Sequence, residues 1–400
     1  MMAGIMAIPV MWSCDDAESP ALPNSIYFTE STNRDEFDCI IKGMRDVPTR
    51  YNVEVKMTHK LDHDVTMNII VDRELLARHY EEFGEDLAII PTDNWILYDT
   101  EGQPHAGDNL LVTFPANQTV AILPIEVIPI ENATESQYAL PLTIQEVSDD
   151  ILVLEKLRSE LIVFQSPFET TGMRFGIQKM GIAYTNLNLP PLREWTLEFH
   201  FHIDRGYSQP LYGCPLTNLG PSEIYVRQYH QGGSMDVHIL GTFGPGGYQV
   251  TKRGYPQDYY ANKAYEGKWS HFALVCKNGT ITSYLDGQEM TVTSSPQFDT
   301  EFSLNRVGIG DSNQESFLSY SEYRFWSVAR TAQQISRFKY TVDPNAKGLE
   351  IYYPMHEDFV EGGKLKDVSH NGFDIDLEGK NILWTPIKTN ADMTSFDTVK

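Results

Sequence analysis

Two groups of side chains in this sequence could do chemistry. The first is a row on one predicted strand. From Glu194 to Asp204 polar and apolar residues alternate without a break. Trp195, Leu197, Phe199, Phe201 and Ile203 fall on one face, and Glu194, Thr196, Glu198, His200, His202 and Asp204 on the other. A period of two places one face in a core and the other in water. Glu198, His200, His202 and Asp204 then form an outward row with three readings. Histidines at i and i+2 can converge on a metal ion. The row can contact a glycan laid across an exposed sheet. Or it is an ordinary solvated face with pairing across strands.

The second group is aromatic. Residues 207–232 and 243–266 hold Tyr207, Tyr212, Tyr225, Tyr229, Tyr248, Tyr255, Tyr259, Tyr260 and Tyr265, interleaved with Gly244–Gly247, Gln249, Pro256 and Asn262. Sugar rings present apolar C–H faces edged by hydroxyls. A phenol ring stacks on such a face at little entropy cost, and neighbouring amides take the hydroxyls. Tyr207, Tyr212, Tyr229, Tyr248, Tyr255, Tyr259 and Tyr260 are the expected ligand contacts. Tyr225, in an apolar run, and Tyr265 read as core. Tyr- and Gly-rich loops also suit a protein-binding surface, so a protein partner is the competing reading.

The elements that would position these groups read as β structure. Asn278-Gly279 lies between two β-rich runs, and Asn-Gly tolerates the positive φ of a two-residue hairpin turn. Asp286-Gly287 marks a second turn, so residues 267–293 predict three consecutive antiparallel strands. Phe272–Cys276 is apolar at nearly every position and must be covered on both faces. Cys276 there reads as a buried small hydrophobe.

The stretch "KWSHFALVCKNGTITSYLDGQEM" resembles the central hairpin of laminin-G-type domains, members of the concanavalin A-like lectin/glucanase superfamily. Trp269, His271, Ala273, Tyr284, Asp286 and Gly287 carry the likeness. Val307–Gly310 with "SEYRFWSVARTAQQISRF", and "LEIYYPMHEDF" through "LKDVSHNGFDIDL", resemble the later strands and short helix of that family. The resemblance covers about residues 170–388. It implies a jelly-roll sandwich and is compatible with a calcium ion at the sandwich rim, for which Asp286, Asp311, Asn313 and Asp367 are turn oxygens.

Upstream, Ser25–Glu30, Tyr51–Met57, Val65–Val71, Leu110–Phe114, Thr119–Pro129 and Tyr138–Gln145 read as strands. Asp72 caps a helix through Phe83, and Gly84 stops it. Leu75, Leu76, His79, Tyr80 and Phe83 form its inward stripe. Ile151–Phe164 reads as a strand with flanking linker. "VTMNIIVDRELLARHYEEFGEDLAIIP" followed by "YALPLTI" resembles the N-terminal β-sandwich domain of unknown function found in Bacteroidetes-type surface lipoproteins. That likeness implies a platform without catalytic residues.

At the start, Val10-Met11-Trp12-Ser13-Cys14 resembles a bacterial lipobox, with Cys14 as the lipidated residue and Asp15, Asp16 and Glu18 resembling a surface-export signal. A basic segment before the apolar run is missing. Without Cys14, three cysteines with no close pair argue against a disulfide framework and against a Cys-x-x-Cys zinc site. No run of 18 apolar residues supports a transmembrane helix.

Catalytic patterns are absent from the sequence. Glucanases of this superfamily carry Glu-x-Asp-x-x-Glu on one strand, because retaining hydrolysis needs two carboxyls roughly 5–5.5 Å apart. Only Glu36-Phe37-Asp38 begins that way, and Ile41 replaces the last acid. No His-Glu-x-x-His, Gly-x-Ser-x-Gly or phosphate loop occurs. The formal net charge of −24 argues against nucleic acid and against an electrostatic grip on anionic lipid.

Together these observations predict an all-β chain of two domains: an Ig-like β-sandwich with one short helix, then a concanavalin A-like (laminin-G) jelly-roll sandwich. The expected boundaries are a signal, lipobox and tether over 1–23, a platform domain over 24–150, a linker over 151–170, the lectin-like domain over 171–388 and a polar tail over 389–400. The expected function is non-catalytic capture of a poly- or oligosaccharide at the outer membrane or cell surface. The anchor would be lipid, and the neighbours surface uptake proteins. An adhesion protein and a cryptic glycosidase are the alternatives.

Overall fold

The structure, a computed structural model, describes residues 23–30, 39–83, 87–130, 137–175, 183–203, 223–229, 234–241, 248–253, 268–294, 306–309, 318–390 and 395–399, with 299, 301 and 304. Residues 223–229, 234–241 and 248–253 are described by their backbone. Among the described residues the chain is strand throughout except for two α-helices, Arg73–Phe83 and Ala332–Arg337, and short 3-10 turns.

The first half is a β-sandwich of two sheets. One runs Leu152–Val153, Ser25–Phe28, Thr49–Met57, Val120–Val127, Trp95–Tyr98, Pro104–His105; the other runs Cys39–Gly43, Ser159–Gln165, Gln137–Val147, Val65–Val71, Asn109–Phe114. Alternation builds the core between them: Val53, Val55 and Met57 of one sheet meet Val65, Met67 and Ile69 of the other in a single apolar cluster. The helix Arg73–Phe83 begins where expected. The Asp72 carboxylate accepts the Glu74 N–H at 3.0 Å. Its inward stripe is narrower than expected: Leu75 and His79 are buried, whereas Tyr80 is 54% exposed.

The expected linker over 151–170 is mostly sheet. Leu152–Val153 pairs with Ser25–Phe28, and Ser159–Gln165 sits between Cys39–Gly43 and Gln137–Val147. An unbroken apolar strand such as Leu161–Phe164 belongs inside a sheet, and here it is covered on both faces. Only Ser166–Phe168 joins this strand to Glu169–Phe175, the first strand of the second half. The polar tail is also partly structured. Phe396–Thr398 adds an edge strand to Ile382–Thr389 because Phe396 is apolar enough to bury.

The second half is built on a nine-stranded antiparallel sheet. Its order is Gln288–Ser294, Thr280–Leu285, Trp269–Lys277, Trp195–Ile203, Leu318–Trp326, Glu169–Phe175, Ile382–Thr389, Phe396–Thr398, with Leu349–Tyr353 also on Leu318–Trp326. Both predicted turns form. Asn278 and Gly279 have φ of 48° and 71°, Asp286 and Gly287 of 50° and 82°, and the flanking residues pair across each. The inner face (Trp195, Leu197, Phe199, Phe201, Phe272, Leu274) packs with Leu187, Val307, Leu365 and Ile375 of shorter strands.

The outer face of this sheet is covered too. Ile335 of the second helix lies on Ala273, Val275 and Tyr284. Beyond it, Phe338, Val342, Leu349 and Tyr352 share one apolar cluster with Cys39, Leu75, Leu161 and Val163 of the first sandwich. The two halves therefore meet through a common hydrophobic layer as well as through the short connector. His79 and Phe338 approach within that layer, ring centroids 6.5 Å apart.

Candidate functional site

The polar row is where the structure departs furthest from expectation. Glu198 and His200 are 0% and 2% exposed, and His202 is half-buried; Asp204 lies outside the described residues. The row does not face water because the chain folds residues 328–339 back over it. Each polar side chain receives part of that segment. Thr196 donates its hydroxyl to the Val328 carbonyl at 2.9 Å and accepts the Arg330 N–H at 2.9 Å. Glu198 accepts from the Arg330 guanidinium at 2.6 Å. The His200 Nε2 bonds the Lys339 carbonyl at 2.6 Å.

A second arginine completes the network. Arg324 donates to Glu322 at 2.6 Å and to the Phe338 carbonyl at 2.6 Å, and lies 3.7 Å from Glu198. Tyr352 donates its hydroxyl to Glu322 at 2.6 Å. Glu322 has φ of 54° and stands in a β-bulge, where Glu322 and Tyr323 together oppose Phe199. A bulge re-aims side chains, and this one accompanies the junction of Glu322 with Arg324. His271 adds its Nε2 at 3.3 Å from Glu198.

Burial sets the protonation of these groups. It would raise the Glu198 carboxyl, but Arg330, His271 and Arg324 outweigh it and hold the group down at about 2. Burial lowers both His200 and His271, keeping the imidazoles neutral; Glu198 offsets part of this at His271. At Glu322 burial lifts the carboxyl above its ordinary value, and the Arg324 pair and Tyr352 hydroxyl offset only part of it. Burial also pushes the Cys276 thiol up to about 12, which leaves it unreactive as expected for a core cysteine.

These facts remove Glu198 and His200 as ligand contacts. Both are enclosed by the chain's own groups. His200 sits among Tyr340, Phe396 and His271, with ring centroids 5.4, 4.7 and 5.0 Å away, so it does not converge with His202 on an ion. Among the described residues no three His, Cys, Asp or Glu are grouped to hold a metal. Two of the four calcium candidates are occupied by amide donors. Asp286 accepts the His271 N–H at 2.8 Å. Asp367 accepts from the N–H groups of Tyr352, Ser369 and Phe373 and from the Ser369 hydroxyl. Asp311 and Asn313 lie outside the described residues.

The aromatic group lies elsewhere. His202 and Trp269 are paired neighbours on adjacent strands, yet residues 203–268 separate them in sequence. Two strands so joined need only a tight turn, so this is a long excursion from one rim of the sandwich. Its root is tightly packed. The Trp269 ring lies against His202 and Phe396, and a Cβ added at Gly172 would fall inside its van der Waals envelope. Within the excursion, Glu223–Tyr229, Ser234–Gly241 and Tyr248–Arg253 form a separate three-stranded antiparallel sheet. Tyr229 pairs with Ser234 at one end, and Tyr248 with Gly241 at the other, about 20 Å apart at the rise of a strand. The structure therefore does not bring these two together. Tyr207, Tyr212, Tyr255, Tyr259 and Tyr260 lie outside the described residues, as does Cys14. A further cleft of about 250 Å³ opens beside the connector, lined by Met44, Arg45, Asp46, Pro129, Ile130, Ser166 and Pro167.

A β-sandwich with this hairpin and this outer helix defines a class. Residues 182–336 match the laminin-G family model of the concanavalin A-like lectin/glucanases superfamily, and this part of the chain is a domain of that class. Residues 22–151 match a family model for an N-terminal domain. No curated protein matches the chain. Among solved structures, a candidate carbohydrate-binding protein from Bacteroides ovatus is similar at 16% identity and a TM-score of 0.45, over 90% of this chain and 97% of its own. EndoBT-3987 of Bacteroides thetaiotamicron, solved with a Man5GlcNAc product, is similar over 35% of this chain and 30% of its own, at 19% identity and a TM-score of 0.27. A heptameric SAP-like pentraxin from Limulus polyphemus is similar over 56% and 97%, at 13% identity and 0.30.

Two outcomes follow from the buried network. Arg330→Met strands the Glu198 charge and costs about 3–5 kcal/mol, and adding Glu198→Gln restores part of the loss; urea unfolding of the single and double variants reads both. Acid sensitivity is the second. The unfolded chain binds protons at the two histidines below their ordinary 6.5 that the folded chain refuses, so stability falls as pH drops through that value. Glu198 extends the loss from 4.5 down to about 2. Glu322 acts in the opposite sense, because its folded form keeps a proton above 4.5. The thermal midpoint therefore falls between pH 7 and pH 5, and His200→Gln makes that fall shallower.

Proposed function

We propose that this chain is a non-catalytic, cell-surface glycan-binding lipoprotein whose C-terminal domain captures a poly- or oligosaccharide through the excursion between His202 and Trp269. The observation that carries the reading is the closure of the outer sheet face. Residues 328–339 and the first sandwich occupy the surface on which a chain of sugars could otherwise lie. That leaves the rim as the place we favour for a ligand, and the excursion leaves that rim carrying nine tyrosines. The lectin-type family match over 182–336 supports the same reading. Tyr207, Tyr212, Tyr229, Tyr248, Tyr255, Tyr259 and Tyr260 are the proposed contacts. Each phenol offers a ring face to sugar C–H groups and a hydroxyl to their edges.

Two buried carboxylates of the second half are unsuited to hydrolysis. Glu198 and Glu322 are both buried and held by guanidinium groups, so neither is free to protonate a leaving group or attack a sugar carbon. The first sandwich then acts as a spacer between a membrane anchor and the binding domain. The proposed anchor is a lipid on Cys14, which would display the folded part outside the outer membrane beside uptake proteins.

Affinity electrophoresis of the full chain against a polysaccharide panel tests the binding reading. Retardation by at least one polysaccharide is expected, and Tyr255→Ala/Tyr259→Ala/Tyr260→Ala weakens it by about tenfold, the loss of roughly 1.4 kcal/mol of stacking. A panel without any retardation sinks the proposal. Labelling of cells with radioactive palmitate tests the anchor: the wild type incorporates label, Cys14→Ser does not, and equal labelling of the two would refute it.

A further inference from the structure

The three-stranded sheet of the excursion sorts its residues by face. Its register pairs Tyr225 with His238 and His238 with Thr251, and pairs Arg227 with Asp236 and Asp236 with Arg253. Successive residues of a strand belong to opposite faces. Those six positions therefore share one face, together with Tyr229. Leu240 has the same parity, and Ile224, Val226, Gln228, Met235, Val237, Ile239, Tyr248, Val250 and Lys252 hold positions on the other, which is mainly aliphatic. A chain turns the aliphatic face of such a sheet toward protein and leaves the polar one to water. The run Glu-Ile-Tyr-Val reads as core in one dimension, but the register sets Tyr225 beside His238 on the polar face.

Charge adds a second observation. Over residues 203–268, Arg205, Arg227, Lys252, Arg253, Lys263 and Lys268 nearly balance Asp204, Glu223, Asp236, Asp258 and Glu266, a net of +1 in a chain of formal net charge −24. The polar face is balanced in the same way: Arg227 and Arg253 flank Asp236, and Glu223 has the same parity. A site for a uronate or sulfated chain carries surplus arginine for bidentate capture of the anion. Balanced Arg, Asp, His and Thr positions instead offer donors and acceptors in equal measure, which suits vicinal hydroxyls.

We propose that the face of this sheet on which the register places Tyr225, Arg227, Asp236, His238, Thr251 and Arg253 binds an uncharged polysaccharide. The proposal rests on the glycan-binding reading above and narrows it to a face and a ligand class. The face is about 20 Å along the strands and about 10 Å across them, the scale of a short run of sugars. Binding to it depends little on salt, since no net charge is neutralised.

The test uses the full chain in affinity gels and calorimetry, with soluble mannan, xyloglucan and starch as neutral probes and polygalacturonate as the anionic one. The wild type binds at least one neutral probe, with similar affinity at low and high salt. Tyr225→Ala/His238→Ala weakens that binding by about tenfold or more while circular dichroism and the thermal midpoint stay at wild-type values. Thr251→Arg, which crowds the same face and removes no aromatic ring, weakens it as well and serves if the double variant does not fold. If a neutral probe binds and a folded face variant binds it equally well, the face assignment is overturned and glycan binding itself survives. Binding confined to polygalacturonate and abolished by salt overturns the neutral class. Retention of no probe overturns this inference together with the reading beneath it.

Discussion

The architecture of the second half depends on one constraint: a sheet with a charged outer row has been put under cover. Glu198, His200, Arg324 and Glu322 would each lose several kcal/mol of hydration on burial if left alone. They are tolerated because every charge has a partner of opposite sign within hydrogen-bond reach. The row also supplies the covering segment with its polar contacts, so the carbonyls of Val328, Phe338 and Lys339 have donors although they lie against a sheet. Replacing these pairs by aliphatic residues of similar volume would serve stability as well or better. What they add is register, since only one placement of residues 328–339 satisfies all of them.

That placement has consequences at a distance. The covered face presents Phe338, Val342 and Tyr352 outward, and these form one layer with Cys39, Leu161 and Val163 of the first sandwich. The first sandwich docks on the lid and on Trp326, Leu349 and Tyr352 of the sheet beside it. A three-residue connector and a shared apolar layer restrict the angle between the halves far more than a flexible linker would. The outer face of the sheet is closed by the same layer that joins the domains.

Much of the fold was legible because it rests on short-range rules. Asn278-Gly279 and Asp286-Gly287 could only be turns, and the run Phe272–Cys276 could only be covered on both sides. Alternation over Glu194–Asp204 correctly gave a strand and its inner face. It failed for the outer face because period-two patterning reports polarity, and polarity is not exposure. The missing signal was Arg324 and Arg330, two cations more than a hundred residues away that neutralise the row. Nothing in the local pattern announces a partner at that separation. Within the expected linker, Ile151–Phe164 reads as a strand, and Ser159–Gln165 is one; its partner, Cys39–Gly43, is more than a hundred residues away and has no local signal.

The excursion between His202 and Trp269 can vary without endangering any of this. Both ends are fixed by a hydrogen-bonded pair in the middle of a nine-stranded sheet, and the Trp269 ring is wedged against Gly172 and Phe396. Loop closure over some sixty residues costs little more than over thirty, because the entropy grows only with the logarithm of length. An insertion at that point is therefore cheap for the sandwich. The strands that launch and receive it lie in the same sheet that the lid and the first sandwich clasp from outside.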